Sequence, residues 1–185
     1  MSDFRDRFAS VLGESHRWGS FNLINDRLAA LARPVRIVET GCARQENNWG
    51  GDGQSTQLWN WMAETYGGTV RSFDINADHC AYAKSVAPLV EVYCQDSVTG
   101  LRQYEKTEEI DFLYLDSMDC GDGIASPLHH LAELASVYER LPSGCLIAVD
   151  DCVGGYGKGV LVDALLAILD VRPIRRDYVT VWVKP

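Results

Sequence analysis

Five short apolar runs, each closed by an acidic or small polar residue and each followed by a stretch with helical spacing, constrain this chain more than any other feature. They cover 35–39, 69–73, 90–94, 110–115 and 145–149. The residues that close them are Glu39-Thr40-Gly41, Asp74, Asp96-Ser97, Asp116 and Asp150-Asp151. Alternation of this kind predicts a parallel sheet covered by helices on both faces. The run 110–115 is almost continuously apolar and reads as a central strand buried on both sides. Two last runs, 171–176 and 178–183, read as an antiparallel hairpin through Asp177. The expected fold is therefore a doubly wound, Rossmann-like α/β sheet of seven strands, mostly parallel, with a C-terminal antiparallel hairpin. In such sheets the ligand lies at the carboxyl ends of the strands. That is the edge where the acids gather.

The first βα connection is the most distinctive one. Val35 to Thr56 runs from a strand through a Gly-, Asn- and Asp-rich loop into Gly53-Gln54-Ser55-Thr56, where a helix begins. Glycines there permit a tight turn and close backbone approach, and the helix start offers free N–H groups to a polar ligand. Helices are predicted at 55–66, stopped by Gly67-Gly68, at 77–87, stopped by Pro88, and at 126–140, where Ser126-Pro127 supplies an N-cap and a first-turn proline. A shorter helix follows Ser97, and another spans 160–169. Before the sheet, residues 2–12 and 20–32 carry apolar side chains at helical spacing. These N-terminal helices (1–34) are expected to pack on the 35–185 ligand-binding domain within one structural domain. They would cover the sheet, or close over the site as a lid with His16, Arg17 and Trp18 in the connecting loop.

Composition narrows the ligand. With 185 residues, 46% of them hydrophobic, the chain can form one ordinary core. Its formal net charge of -9 argues against a nucleic-acid partner and against an anionic membrane face, and favours a small-molecule substrate. The charged N-terminus MSDFRDRF carries no secretory pattern, and no apolar stretch reaches membrane-span length. The six cysteines are scattered without a CxxC pair, as in a reduced cytoplasmic protein. A homodimer is compatible with all of this.

The acids suggest two jobs. Asp74, at the end of the second run, is placed to accept both hydroxyls of a ribose; the ordinary alternative is a helix cap, beside Asn76 and Asp78. The dinucleotide pattern G-x-G-x-x-G is absent, which weakens a nicotinamide or flavin reading. Asp116, Asp150 and Asp151 end neighbouring strands. Three converging carboxylates repel one another unless a cation joins them, and Mg²⁺ or another divalent ion is the natural candidate. His129 or His130, in the first turn of the 126–140 helix, would take a proton from a substrate hydroxyl, with Asp119 as a weaker candidate base. The Gly-rich segment Gly154 to Gly159, with Tyr156 and Lys158, reads as a flap or as an ordinary connection.

From about Val35 to Pro185 the order of these motifs resembles the class I S-adenosylmethionine (SAM)-dependent methyltransferases. Glu39-Thr40-Gly41 is similar to the family's first motif, Asp74 to its ribose-binding acid, and Asp96-Ser97 to its adenine-side pair. The resemblance implies a cofactor lying across Glu39, Thr40, Gly41, Gly53, Ser55, Thr56, Asp74, Ile75, Asp96, Ser97 and Asp116. Within the family, Asp116 with Asp150-Asp151 resembles the metal site of the catechol-type and macrolide-sugar O-methyltransferases. That likeness implies metal-assisted methylation of a sugar or secondary-metabolite hydroxyl. Two departures stand out. The loop carries an insertion, Ala43 to Trp49, and the catechol-type lysine is replaced near Asp119. The alternatives are a metal-independent N- or carboxylate methyltransferase and a non-catalytic SAM-binding module.

Overall fold

The six strands of the main sheet lie in the order Val90–Cys94, Gly68–Asp74, Val35–Thr40, Phe112–Leu115, Leu146–Val149 and Thr180–Val183, with only the last antiparallel to its neighbour. The computed structural model describes residues 3–121, 123–153 and 156–185, and the Glu108 backbone without its side chain. In chain order the elements are α1 (Phe4–Leu12), α2 (Trp18–Ala29), β1 (Val35–Thr40), α3 (Ser55–Tyr66), β2 (Gly68–Asp74), α4 (Ala77–Val86), β3 (Val90–Cys94), α5 (Ser97–Gln103) and β4 (Phe112–Leu115). They continue with α6 (Ala125–Val137), β5 (Leu146–Val149), β6 (Cys152–Val153), β7 (Tyr156–Gly157), α7 (Val160–Ile168) and β8 (Thr180–Val183).

Alternation of side chains along each central strand divides the core in two. Ile37, Phe112, Tyr114, Leu146 and Ala148 join the aromatic cluster under α1, α2, α3 and α4. Val38, Leu113, Leu115, Ile147 and Val149 join the opposite cluster under α5, α6 and α7. The N-terminal helices are part of the first layer. Phe4, Phe8, Leu12, Phe21, Ile24 and Leu28 are all buried, and Phe4 meets Trp18 and Trp61 at ring-centroid distances of 5.9 and 5.6 Å.

The sheet has six strands, not seven. The segment 171–176 contributes only an isolated bridge between Arg175 and Val181. Its sequence, VRPIRR, explains why: Pro173 has no N–H for a ladder, and the arginines gain nothing from a buried pleat. The antiparallel hairpin is instead the separate two-stranded β6–β7 sheet. Only its second strand falls in the Gly154 to Gly159 segment read as a flap or an ordinary connection, and Gly154 and Gly155 are outside the described residues. Among the described residues no helix is long and apolar enough to cross a membrane.

Successive strands are added outward from β1 in both directions, so the order reverses between β1 and β4. The carboxyl ends of these two strands, Gly41 and Asp116, flank the crevice where an open α/β sheet binds its ligand.

Candidate active site

Gly41 makes the turn out of β1 at φ 75°. A Cβ at this position would overlap the Asp116 carbonyl oxygen, so only glycine lets the ends of β1 and β4 close on one another. Thr40 is buried beneath, and its Oγ1 accepts the Asp116 N–H at 3.2 Å. Past the turn, the Cys42 N–H donates to Asp74 Oδ2 at 3.1 Å, and the Asn76 N–H donates to Asp74 Oδ1 at 2.8 Å. These bonds fix the Asp74 carboxylate and leave lone pairs for a ligand. The cap of α4 is provided by Asn76, whose Oδ1 accepts from the Asp78 and His79 N–H groups. Asp74 is thereby free of the capping duty.

Glu39 lies under the loop rather than in the crevice. Its side chain is fully buried and accepts hydrogen bonds from Ser55 Oγ (2.6 Å), Thr56 Oγ1 (2.8 Å) and Ser72 Oγ (2.8 Å). Thr56 Oγ1 also accepts the Ala43 N–H at 2.8 Å. The glutamate therefore pins the start of α3 to β2 and to the loop. Burial pushes its carboxyl up to about 7, against the three hydroxyl donors that favour the ionised form. The folded state holds this proton up to about pH 7, whereas the unfolded chain releases it near 4.5. Glu39 therefore makes stability fall as pH rises through that interval, by about 3 kcal/mol. Glu39→Gln is expected to flatten this part of the profile in urea titrations run at several pH values, and to leave the mutant the more stable protein above pH 7. An unchanged pH profile in the variant would contradict the assignment.

A crevice of about 230 Å³ opens at this edge, lined by Gly41, Ser55, Asp74, Ile75, Asp116, Asp119, Asp151, Arg17, Arg44 and Lys158 among others. Ile75 is exposed and offers an apolar ledge beside Asp74. Gly53, at φ 65°, packs a would-be Cβ position against the Arg17 side chain. Asp96 and Ser97 are not among the residues lining the crevice. Asp96 caps α5 by accepting the Thr99 N–H at 2.8 Å, and Ser97 Oγ meets His129 Nε2 at 3.0 Å.

The histidines are absorbed by α6. His129 Nε2 lies 3.4 Å from Glu133 Oε1. His130 is fully buried, with Nδ1 2.7 Å from the Ser126 carbonyl oxygen. Burial lowers its pKa, while the Glu133 carboxylate raises that of His129. Neither lines the crevice. Asp119 does, but Arg44 Nη1 donates to it at 2.7 Å and holds its carboxyl below the usual range, which makes it a poor base. Arg44 also donates to Asp52 Oδ1, so this one side chain straps the loop across the crevice.

Asp116, Asp150 and Asp151 do converge: ligand oxygens of the three lie within 4.8 Å of one another. By its donors alone the set suits a hard divalent cation. The space, however, is taken by two cations of the chain. Arg17 Nε lies 3.0 and 2.8 Å from the two oxygens of Asp150, and its Nη2 lies 3.3 Å from Asp151 Oδ1. Lys158 Nζ bonds to Asp116 Oδ1 and lies 2.9 Å from Asp151 Oδ2. Both cations are nearly inaccessible, Arg17 at 4% and Lys158 at 1%. The neighbouring carboxylates raise the pKa of Lys158 and keep it an ammonium, and Lys158 in turn lowers that of Asp151. A metal ion does not fit this arrangement without displacing the lysine.

Beyond the cluster the Arg17 guanidinium stacks over the Tyr178 ring at 4.5 Å. Tyr178 borders a larger cavity of about 650 Å³, lined by His16, Tyr156, Val160, Trp182 and others. A second chamber thus adjoins the crevice across the Arg17–Tyr178 stack.

No protein-family model matches the chain, and no curated protein matches it. Solved structures do. The O-methyltransferase NovP superposes with a TM-score of 0.60 at 16% identity, over 91% of this chain and 79% of that one. The calicheamicin methyltransferase CalS11 gives 0.62 at 15% identity, with the same two coverages. A methyltransferase candidate from Streptococcus mutans, solved in complex with SAH, gives 0.58 at 16% identity over 89% of this chain and 97% of that one. At these identities the likeness establishes the fold alone: the class I fold of SAM-dependent methyltransferases.

Proposed function

We propose that this protein is a SAM-dependent methyltransferase that methylates a hydroxyl of a small molecule. The observation that carries the reading is the Asp74 carboxylate, held by two backbone N–H groups at the rim of the switch-point crevice with lone pairs still free. When bound, SAM supplies a methyl group on a sulfonium sulfur, and its transfer to a nucleophile leaves S-adenosylhomocysteine (SAH). The residues present fit this cofactor. Asp74 would hold the ribose diol, Ile75 would support the adenine, and Gly41 lets the backbone approach closely. Ser55, the first residue of α3, lines the crevice, and a helix N-terminus at that point would suit a carboxylate.

The acceptor would enter from the chamber bordered by His16, Tyr156 and Tyr178, whose aromatic walls suit a planar or glycosidic ring. Its hydroxyl would meet the crevice beside Asp116, and Asp116 Oδ2 is the carboxylate oxygen there with which Lys158 does not pair. Asp116 would accept the hydroxyl proton as the oxygen attacks, in place of His129, His130 or Asp119. Most of the acceleration then comes from positioning two reactants in line within the crevice.

Methyl-labelled SAM offered with a panel of phenols, vicinal diols and sugars is expected to yield labelled ether together with SAH. Asp74→Ala is expected to weaken SAH binding about 10- to 100-fold, the worth of hydrogen bonds to a charged group. Asp96→Ala, which changes only a helix cap, should leave the affinity unchanged. Equal losses in the two variants, or no loss in Asp74→Ala, would remove Asp74 from the site.

A further inference from the structure

We infer that Lys158 takes the place of a divalent ion in the acidic cluster, so that the site works without metal and excludes it. Three carboxylates within one small volume need positive charge among them. The chain supplies two units of it: Arg17 occupies both oxygens of Asp150, and Lys158 bridges Asp116 to Asp151. A hard cation with ligands at about 2.0–2.1 Å would need those same oxygens turned toward one point. That point belongs to a buried ammonium.

The backbone is built to deliver the lysine there. Gly157 sits at φ 92°, and a Cβ on it would overlap the Asp151 carbonyl oxygen. The chain therefore runs against Asp151 at van der Waals range. The Lys158 N–H then donates to that carbonyl at 3.3 Å. The side chain, held at both ends against the Asp151 backbone and the Asp116 and Asp151 carboxylates, has no slack with which to yield to an ion. An ammonium has three donors; two are spent on the carboxylates. The third is left for an oxygen in the crevice that Lys158 lines. This last step alone, the contact with an acceptor hydroxyl, rests on the methyltransferase reading.

Two measurements test the inference. The first titrates Mn²⁺ into the full-length protein and reads free aqueous Mn²⁺ by electron paramagnetic resonance. Wild type is expected to leave the signal undiminished at micromolar to millimolar ion, and Lys158→Met is expected to remove it saturably, because the deletion leaves three carboxylates with one cation. Lys158→Arg should stay as blind to the ion as wild type. Saturable loss of signal with wild type, abolished by Asp151→Asn, would overturn the inference, and so would a folded Lys158→Met that stays blind. Should Lys158→Met not fold, the wild-type titration decides alone. The second measurement is SAH binding to wild type with and without excess chelator, expected to be equal. A fall with chelator overturns the inference. Absence of SAH binding in both conditions instead overturns the methyltransferase reading and leaves the Mn²⁺ result standing.

Discussion

Arg17→Met is expected to destabilise the protein by about 3–5 kcal/mol, the usual cost of stripping one partner from a buried ion pair. Asp150 is fully buried, and both of its carboxylate oxygens accept from Arg17 Nε. Removing the guanidinium leaves that charge beside Asp151 with no equivalent donor. Burial already pushes the Asp150 carboxyl above its ordinary value, and Arg17 opposes the shift. Without Arg17 the folded pKa rises further. The deficit should therefore grow with pH and shrink as pH falls toward the ordinary carboxylate range. Urea unfolding at two pH values measures both the size and the trend. Asp150→Leu added to Arg17→Met should recover most of the loss, because an apolar pair leaves no buried charge. A single variant within about 1 kcal/mol of wild type at neutral pH would mean that the pair is solvated and not the tie that holds the α1–α2 connection to the sheet.

Gly41→Ala should be the most damaging small substitution in the crevice. The residue would have to adopt φ 75° with a Cβ overlapping the Asp116 carbonyl oxygen and lying 2.8 Å from its carbon. Both atoms are backbone, so no side chain can swing aside. Strain at a left-handed position costs about 1–3 kcal/mol and overpacking a similar amount. The relief available is to part the ends of β1 and β4, which moves Asp116 away from Asp74 across the crevice. A lowered melting temperature together with a loss of SAH binding of at least about 10-fold is expected, since 1.4 kcal/mol is a factor of ten. Gly50→Ala serves as the control in the same loop: nothing lies within 4 Å of its Cβ position, and both properties should be unchanged. Equal behaviour of the two variants would show that the loop, rather than the β1–β4 junction, sets the geometry.

The main lines of the fold were legible because its signals are local. Five apolar runs separated by helical stretches dictate a parallel sheet, and the acids at their ends mark one edge. Pro173 and the arginines around it speak against a seventh strand. The site was legible in its acids and hidden in its bases. Arg17 and Asp150 lie 133 residues apart, and nothing in the Ser15-His16-Arg17-Trp18 connection shows that its arginine will reach the end of the fifth strand. Lys158 stood in the right segment, but its partners are set by the close approach of Gly157 to Asp151, which no spacing reveals. The histidines teach the opposite lesson. Glu133 follows His129 by four residues and His130 by three, so all three share one helical face. That spacing offered them a partner inside α6 before any role in the crevice.

Calorimetric titration of the wild-type protein with SAH, in chelator, tests the cofactor crevice most directly. Saturable one-site binding, weakened in Asp74→Ala and retained in Asp96→Ala, is the expected result. No heat of binding in chelator and none on adding Mg²⁺ would contradict it, and would leave the protein with the methyltransferase fold but without its cofactor.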